Sequence, residues 1–257
     1  MYFFMMYDNK SKALLKLDHF SHKMTKVSLG IPEFDEFLGG FETDVITTLY
    51  GPSGSGKSNI CLLSASHIAK NKKVLYIDTE GGFSIERLKQ ICPNYTEILK
   101  NIFVLKPTNF DEQTKSMSKL KQMISSDAKN IGIIIIDTIS MLYRLELGTT
   151  DNVYEVNRSL GKQIAQLAEI ARKNNIPVLI TNQVYADFDE KDKVNMVGGD
   201  LLKYGSKCLI ELQKTPDGLR RAIIRKHRAM PEGQEIVFKI VEKGIEKAKE
   251  SKGFKLF

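Results

Sequence analysis

The eight residues Gly51-Pro-Ser-Gly-Ser-Gly-Lys57-Ser58 constrain this chain more than any other stretch. They follow a strand-like run at 45–50 and open a segment with helical apolar spacing at 57–70 (Ile60, Leu63, Ile68). GxxxxGK[ST] in that strand–loop–helix context is a phosphate-binding loop. Its glycines let backbone N–H groups turn inward around an anion, and the following helix points its positive end at the same place. Gly51, Pro52, Ser53, Gly54, Ser55, Gly56, Lys57 and Ser58 are therefore the candidate nucleotide contacts. Lys57 supplies a point charge to phosphate oxygens, and the Ser58 hydroxyl is placed for Mg2+. The expected ligands are ATP and Mg2+.

The rest of the chain fits that loop. Residues 73–78, 102–105, 131–137 and 177–183 read as strands, and 84–91, 111–126 and 152–173 as helices. Alternating strand and helix, with strands as apolar as the four isoleucines at 133–136, predicts an α/β fold: a mostly parallel sheet with helices on both faces. After Gly205 the pattern changes. Residues 208–213, 220–227 and 235–241 read as strands joined by the turns Pro216-Asp217-Gly218 and Pro231-Glu232-Gly233, which predicts an antiparallel C-terminal edge on the same sheet. There is no internal repeat. The expected organisation is an N-terminal extension (1–23), one domain (24–250) and a short tail (251–257).

Three polar residues at predicted strand ends complete the candidate site. Asp137 follows the isoleucine run and is placed to hold Mg2+ through its water shell; the alternative is a cap on the next turn. Glu80, in Asp78-Thr79-Glu80-Gly81-Gly82, follows the 73–78 strand, expected beside the phosphate-loop strand. A carboxylate there can orient a water towards a γ-phosphate, or simply cap the segment opening at Ser84. Gln183 ends the 177–183 strand, where an amide can sense the γ-phosphate or merely satisfy loose backbone. Phe83 reads as core packing.

Charge narrows the partners. The net charge of +7 lies entirely beyond residue 202, where 14 Lys/Arg face 7 Asp/Glu, while the first 202 residues hold 24 of each. A basic third on a neutral body favours a polyanion, nucleic acid before membrane. No apolar run approaches the roughly 20 residues of a membrane span. The opening MYFFMMYDNK carries no basic residue ahead of its apolar patch, so it does not read as a signal peptide. Cys61, Cys92 and Cys208 form no CxxC, and His19, His22 and His67 have no partner at ligand spacing, so no disulfide framework or zinc site is expected. A reducing cytoplasm is the expected location.

Several motifs stand together in the order seen in RecA/RadA-type recombinase cores, which the chain resembles over about 24–245. They are Lys26-Val-Ser-Leu-Gly-Ile31, Phe37-Leu-Gly-Gly40, the phosphate loop, Tyr76-Ile-Asp-Thr-Glu-Gly81, Ile136-Asp-Thr138, Thr181-Asn-Gln183 and Gly198-Gly199. Arg225-Lys-His-Arg228, ahead of Met230-Pro-Glu-Gly233, resembles a basic motif of that family's short archaeal branch. The resemblance implies a RecA-type ATPase core that binds ATP and DNA, single-stranded DNA above all, in homologous recombination and repair of DNA damage, with weak hydrolysis. By position it makes Glu80 the water-activating glutamate, Asp137 the Mg2+ aspartate and Gln183 the sensor. The chain departs from full recombinases in four ways. Residues 1–23 are too few for their N-terminal helical domain, no Phe-x-x-Ala polymerisation segment occurs, and four acids crowd residues 186–193. Tyr204 also stands where recombinases usually show a histidine. The expectation is an accessory or regulatory paralogue, working with a recombinase or junction-nuclease partner, rather than a filament-forming strand-exchange enzyme. The alternative is a clock-type signalling ATPase of the same fold acting through protein partners.

Three basic surfaces compete for DNA: Arg144 with Arg158, Lys203 with Lys207, and the cluster Arg220, Arg221, Arg225, Lys226, His227 and Arg228. On a strand, Arg221, Ile223 and Arg225 face one way and Arg220, Ala222, Ile224 and Lys226 the other, basic at both ends and apolar between, as on an edge strand. That cluster can contact phosphates, or place Lys226 and Arg228 on a neighbouring subunit's γ-phosphate, as Lys-x-Arg pairs do in similar ring ATPases. It can also be a solvated edge that blunts aggregation.

Overall fold

A computed structural model describes residues 25–186 and 194–248. The N-terminal extension, the tail and residues 187–193 of the acidic loop lie outside the described residues. Strand β1 (Lys26–Val27), helix α1 (Pro32–Leu38) and β2 (Phe41–Glu42) precede β3 (Ile46–Tyr50). The phosphate loop then opens α2 (Lys57–Ile68). There follow β4 (Lys73–Asp78), α3 (Ile85–Ile91), the single turn α4 (Tyr95–Ile98), β5 (Ile102–Leu105), α5 (Phe110–Asp127) and β6 (Ile131–Asp137). Next come α6 (Met141–Leu147), α7 (Val153–Asn174), β7 (Val178–Asn182), β8 (Val184–Ala186), β9 (Val194–Met196) and α8 (Gly199–Gly205). The chain closes with β10 (Cys208–Lys214), β11 (Arg220–Lys226), β12 (Glu235–Val241) and β13 (Gly244–Lys247).

Nine strands form one sheet in the order β13-β12-β11-β10-β3-β7-β6-β4-β5. From β10 to β5 neighbours run parallel, and from β10 to β13 antiparallel. The alternation of side chains along each strand divides the core between two faces. Ile133 and Ile135 of β6, with Val74 and Tyr76 of β4, pack under α1, α2 and α3. Ile134 and Ile136, with Leu75 and Ile77, pack under α5, α6 and α7. Ser84, Asn109 and Asn152 accept hydrogen bonds from the N–H groups three residues on and so start α3, α5 and α7, and Asn175 closes α7 in a left-handed conformation (φ 57°). No described helix is long and apolar enough to cross a membrane.

Two expectations are corrected by the strand order. β4 does not lie beside β3, because β7 and β6 stand between them. Helical crossovers span a sheet face without fixing which strand they return to, so local sequence leaves the order open. β11 is not an edge strand: it pairs with β10 and β12, and among the described residues the edge on that side is β13. Its basic ends reach the two rims of the sheet while Ala222 and Ile224 fill the core. The expected antiparallel C-terminal edge is present: β10 pairs antiparallel with β11 and β11 with β12, while β10 joins the parallel part of the sheet alongside β3.

Candidate phosphate-binding site

The carboxyl ends of β3, β7, β6 and β4 meet at one rim, where open α/β sheets bind ligands. The parallel register sets Tyr50 beside Asn182 and Asp78 beside Asp137, so the loops leaving these strands start level. A cleft of about 290 Å³ opens there, lined by the phosphate loop with Glu80, Gln183 and Ile240.

The loop is tightly specified. Gly51 takes φ 157°, and a Cβ there would sit 2.1 Å from the Leu212 carbonyl oxygen. Lys57 is buried and donates from Nζ to the carbonyls of Gly51 (2.7 Å) and Pro52 (2.9 Å). Burial lowers its pKa, against the opposing pull of Glu80 and Asp137. Ser55 Oγ and Asn59 Nδ2 are buried with no hydrogen-bond partner among the described residues, as expected of groups that a ligand or water completes.

Asp137 is buried at the end of β6. Its Oδ1 accepts from Thr181 Oγ1 (2.5 Å) and its Oδ2 from the Tyr76 hydroxyl (3.0 Å). Burial, then the Asp137 charge, raises the pKa of Tyr76 and keeps it a donor. A Cβ on Gly82 would lie 3.4 Å from both Asp137 Oδ2 and Ser58 Oγ, so the two residues expected at the metal stand on either side of Gly82.

Glu80 lies two residues past Asp78, the last residue of β4, and lines the cleft. Its Oε1 accepts from Gln183 Nε2 (2.7 Å) and from Thr138 Oγ1 (3.1 Å). The three strand ends are thus joined in one network, and Glu80 is no helix cap, since Ser84 caps α3. Asp78 braces the turn behind it: Oδ1 accepts from Gly82 N (2.9 Å) and Oδ2 from Phe83 N (3.1 Å). Phe83 packs edge-on against Tyr76 (centroids 5.1 Å apart), in the core as expected.

Sequence reasoning missed Thr138, Thr181, Tyr76 and Asp78 as partners of the predicted residues, although each lies inside one of the motifs. It also missed Arg87. That guanidinium donates to Asn59 Oδ1 (2.8 Å), Gln90 Oε1 (2.8 Å) and the carbonyls of Val241 (2.8 Å) and Glu242 (2.7 Å). It ties α3 and α2 to the β12–β13 turn, and Ile240 is brought over Gly56. No local signal links residues 150 positions apart.

The basic cluster is divided. Arg220 and Lys226 stand at opposite ends of β11, about 20 Å apart at the usual rise per residue. Arg225 Nε donates to buried Glu211 (2.7 Å). Burial works against its charge, but Glu211 outweighs it and the pKa rises. Lys226 donates to the Lys203 (2.6 Å) and Ser206 (2.8 Å) carbonyls. Arg228 forks onto Asp44 (2.7 and 2.9 Å) and reaches buried Glu42 (3.1 Å). Arg221 lies 3.7 Å from Glu235, and His227 Nδ1 accepts from Ala229 N. Arg144 on α6 and Lys207 are exposed, and Arg158 on α7 pairs with exposed Glu155. Tyr154 and Tyr204, 73% and 78% exposed, stand on the same helical side of the molecule, on α7 and α8.

Fold and loop together define a RecA-type phosphate-loop core. The profile of the Rad51 family matches residues 21–248, and the chain belongs to that family. Within it the chain is a RadB-type recombinase paralogue. It is 42% identical over 216 residues to the DNA repair and recombination protein RadB of Methanosphaera stadtmanae, covering 82% of this chain and 91% of that one. To the RadB of Methanococcus maripaludis it is 45% identical over 218 residues, covering 82% and 96%. A crystal structure of the RadB recombinase superposes with a TM-score of 0.73 at 37% identity, covering 86% of this chain and 99% of that one.

Proposed function

We propose that this chain is an ATP- and DNA-binding protein of homologous recombination and DNA repair that hydrolyses ATP slowly and acts as an accessory to a recombinase. The contact between Gln183 and Glu80 over the phosphate loop carries the reading, because it puts a carboxylate and its sensor in one bond at the cleft. The loop's N–H groups and Lys57 bind the β- and γ-phosphates. Ser58 and Asp137 would hold Mg2+ beside the phosphates, Asp137 being fixed in place by Tyr76 and Thr181, and the metal would supply charge neutralisation at the transferring phosphoryl group. Glu80 orients the attacking water with Oε2 while Thr138 fixes Oε1, which Gln183 also holds before nucleotide binds. Gln183 leaves Glu80 for the γ-phosphate and passes its presence to β8, which follows directly. The cost of breaking the 2.7 Å contact fits slow turnover. The recombination and repair part of the reading is supported by the relatives named DNA repair and recombination protein RadB, of which this chain covers 91% and 96%.

The test is steady-state ATP hydrolysis with Mg2+, with and without saturating single-stranded DNA. A low rate with tight ATP binding is expected. Lys57→Ala abolishes binding, and Glu80→Gln keeps binding but lowers kcat about a hundredfold, the usual worth of a positioned base. Normal hydrolysis by Glu80→Gln would remove Glu80 from the reaction, and strong stimulation by DNA would replace the accessory with an active recombinase.

A further inference from the structure

The β10–β11 hairpin lays two cations against the outer wall of the phosphate loop. Arg220, at the start of β11, donates from Nε to the Gly54 carbonyl (2.9 Å) and from Nη1 to the Gly218 (2.7 Å) and Leu219 (3.0 Å) carbonyls. Lys214, its cross-strand partner at the end of β10, brings Nζ to within 3.8 Å of where a Gly54 Cβ would stand. Gly54 lines the cleft. From the inner side Lys57 holds the carbonyls of Gly51 and Pro52, and Ser55 N donates to Pro52 O (3.2 Å). The loop is thus gripped by one cation within and one outside. Its tip residue, a glycine at φ 73°, has little conformational preference of its own to hold it there.

We propose that Arg220 is a positioning residue for the phosphate loop, and that with Lys214 it biases the site towards the more highly charged nucleotide, triphosphate over diphosphate. The proposal rests on the nucleotide reading above. The brace works by geometry: a loop whose outward carbonyl is pinned cannot flip its peptides away from an inward-facing anion site. The bias works by charge. Two positive groups beside the loop attract the more negative Mg2+–ATP complex more than Mg2+–ADP, at a distance and exposure where salt weakens the effect. Asp217 in the same hairpin turn, bonded to Thr215, partly offsets them.

Two measurements judge it, on Arg220→Ala, Arg220→Lys and Lys214→Ala in the full chain. The first is amide hydrogen exchange of residues 53–56 without nucleotide. The second is the Kd for fluorescent ATP and ADP analogues with Mg2+ at low and moderate salt. Arg220→Ala is expected to speed loop exchange and weaken ATP binding about five- to tenfold, the worth of one half-exposed charge-assisted hydrogen bond, with a smaller loss for ADP. Arg220→Lys restores the ATP-over-ADP ratio but not the exchange protection. Lys214→Ala lowers the ratio about twofold, less at higher salt, and leaves exchange unchanged. Unchanged exchange and affinity in Arg220→Ala would overturn the brace, and equal losses for ATP and ADP would overturn the charge bias. If the unmodified protein binds neither nucleotide, the functional reading fails, while the exchange comparison still judges the brace. Should Arg220→Ala not fold, Arg220→Lys carries the exchange comparison.

Discussion

Asp78 shows how much of the site depends on a residue that touches no ligand. It is buried, and its two oxygens each hold one backbone N–H of the Gly82-Phe83 turn. Asp78→Ala leaves both donors unsatisfied, at about 1–3 kcal/mol each, and frees the turn that aims Glu80. Thermal melts are expected to show the lost stability, and kinetics to show kcat falling more than KM rises. An unchanged kcat would mean that Glu80 is held from the Gln183 side alone. His227 gives a second residue-scale outcome. Burial keeps its pKa below the ordinary ~6.5, with Glu42 opposing and Lys26 and Arg228 assisting. A folded-state pKa below the unfolded one means that its contribution is complete above pH ~6.5 and is lost as pH falls through the lower, folded value. His227→Asn, whose side chain can still accept from Ala229 N, is expected to flatten the acid limb of Tm against pH; a parallel limb would contradict it.

At the scale of elements, the packing of α2 on the sheet is set by one small residue. A Cβ on Gly132 of β6 would stand 2.4 Å from Ile68 Cγ2 and 2.7 Å from Lys72 Cβ, at the end of the helix that begins with Lys57. Gly132→Ala must push α2 outward, and is expected to cost about 1–3 kcal/mol, a drop of several degrees in Tm. Gly148→Ala is the control: its φ is −76° and its Cβ would meet only backbone at 3.4 Å or beyond, so its change stays within about 0.5 kcal/mol. Equal effects at the two positions would show that the helix has room to move. The long elements were legible from sequence because their patterns are long: α7 repeats Val156, Leu160, Ile164 and Leu167, and β6 is apolar throughout. Helices α1, α6 and α8, at seven residues each, show no period of their own, whereas α3, equally short, is legible from its place between two strand runs, and β13 has four residues. The site was legible where one motif holds it. The phosphate loop, Glu80, Asp137 and Gln183 converge at one rim, whereas Arg87 and Arg220 act through backbone carbonyls far along the chain, a partner type that no residue pattern encodes.

Over the whole molecule, the excess of basic residues beyond position 202 goes partly into holding the sheet's far rim together. Arg225 and Arg228 face Glu211 and Glu42, whose side chains are 7% and 2% exposed, so removing either arginine strands a buried carboxylate. Arg144 is exposed, and the surface pair of Arg158 with Glu155 contributes little. Charge therefore separates two surfaces that sequence treats alike. Arg225→Ala and Arg228→Ala are expected to lower Tm sharply and to change single-stranded DNA affinity little among the molecules that remain folded. Arg144→Glu with Arg158→Glu is expected to leave Tm nearly unchanged, weaken DNA binding, and flatten the dependence of log K on log salt by about 0.7 for each phosphate no longer neutralised. Tyr154→Ala and Tyr204→Ala, on the same side, should weaken binding without altering that slope, because stacking on bases releases no counterions. Fluorescence anisotropy with a labelled strand at several salt concentrations, beside melts of each variant, decides the matter. If the Arg225 and Arg228 variants keep their Tm and no longer bind DNA, the nucleic acid lies along the far rim. The ion pairs of Arg225 and Arg228 would then be pairings that DNA displaces rather than struts.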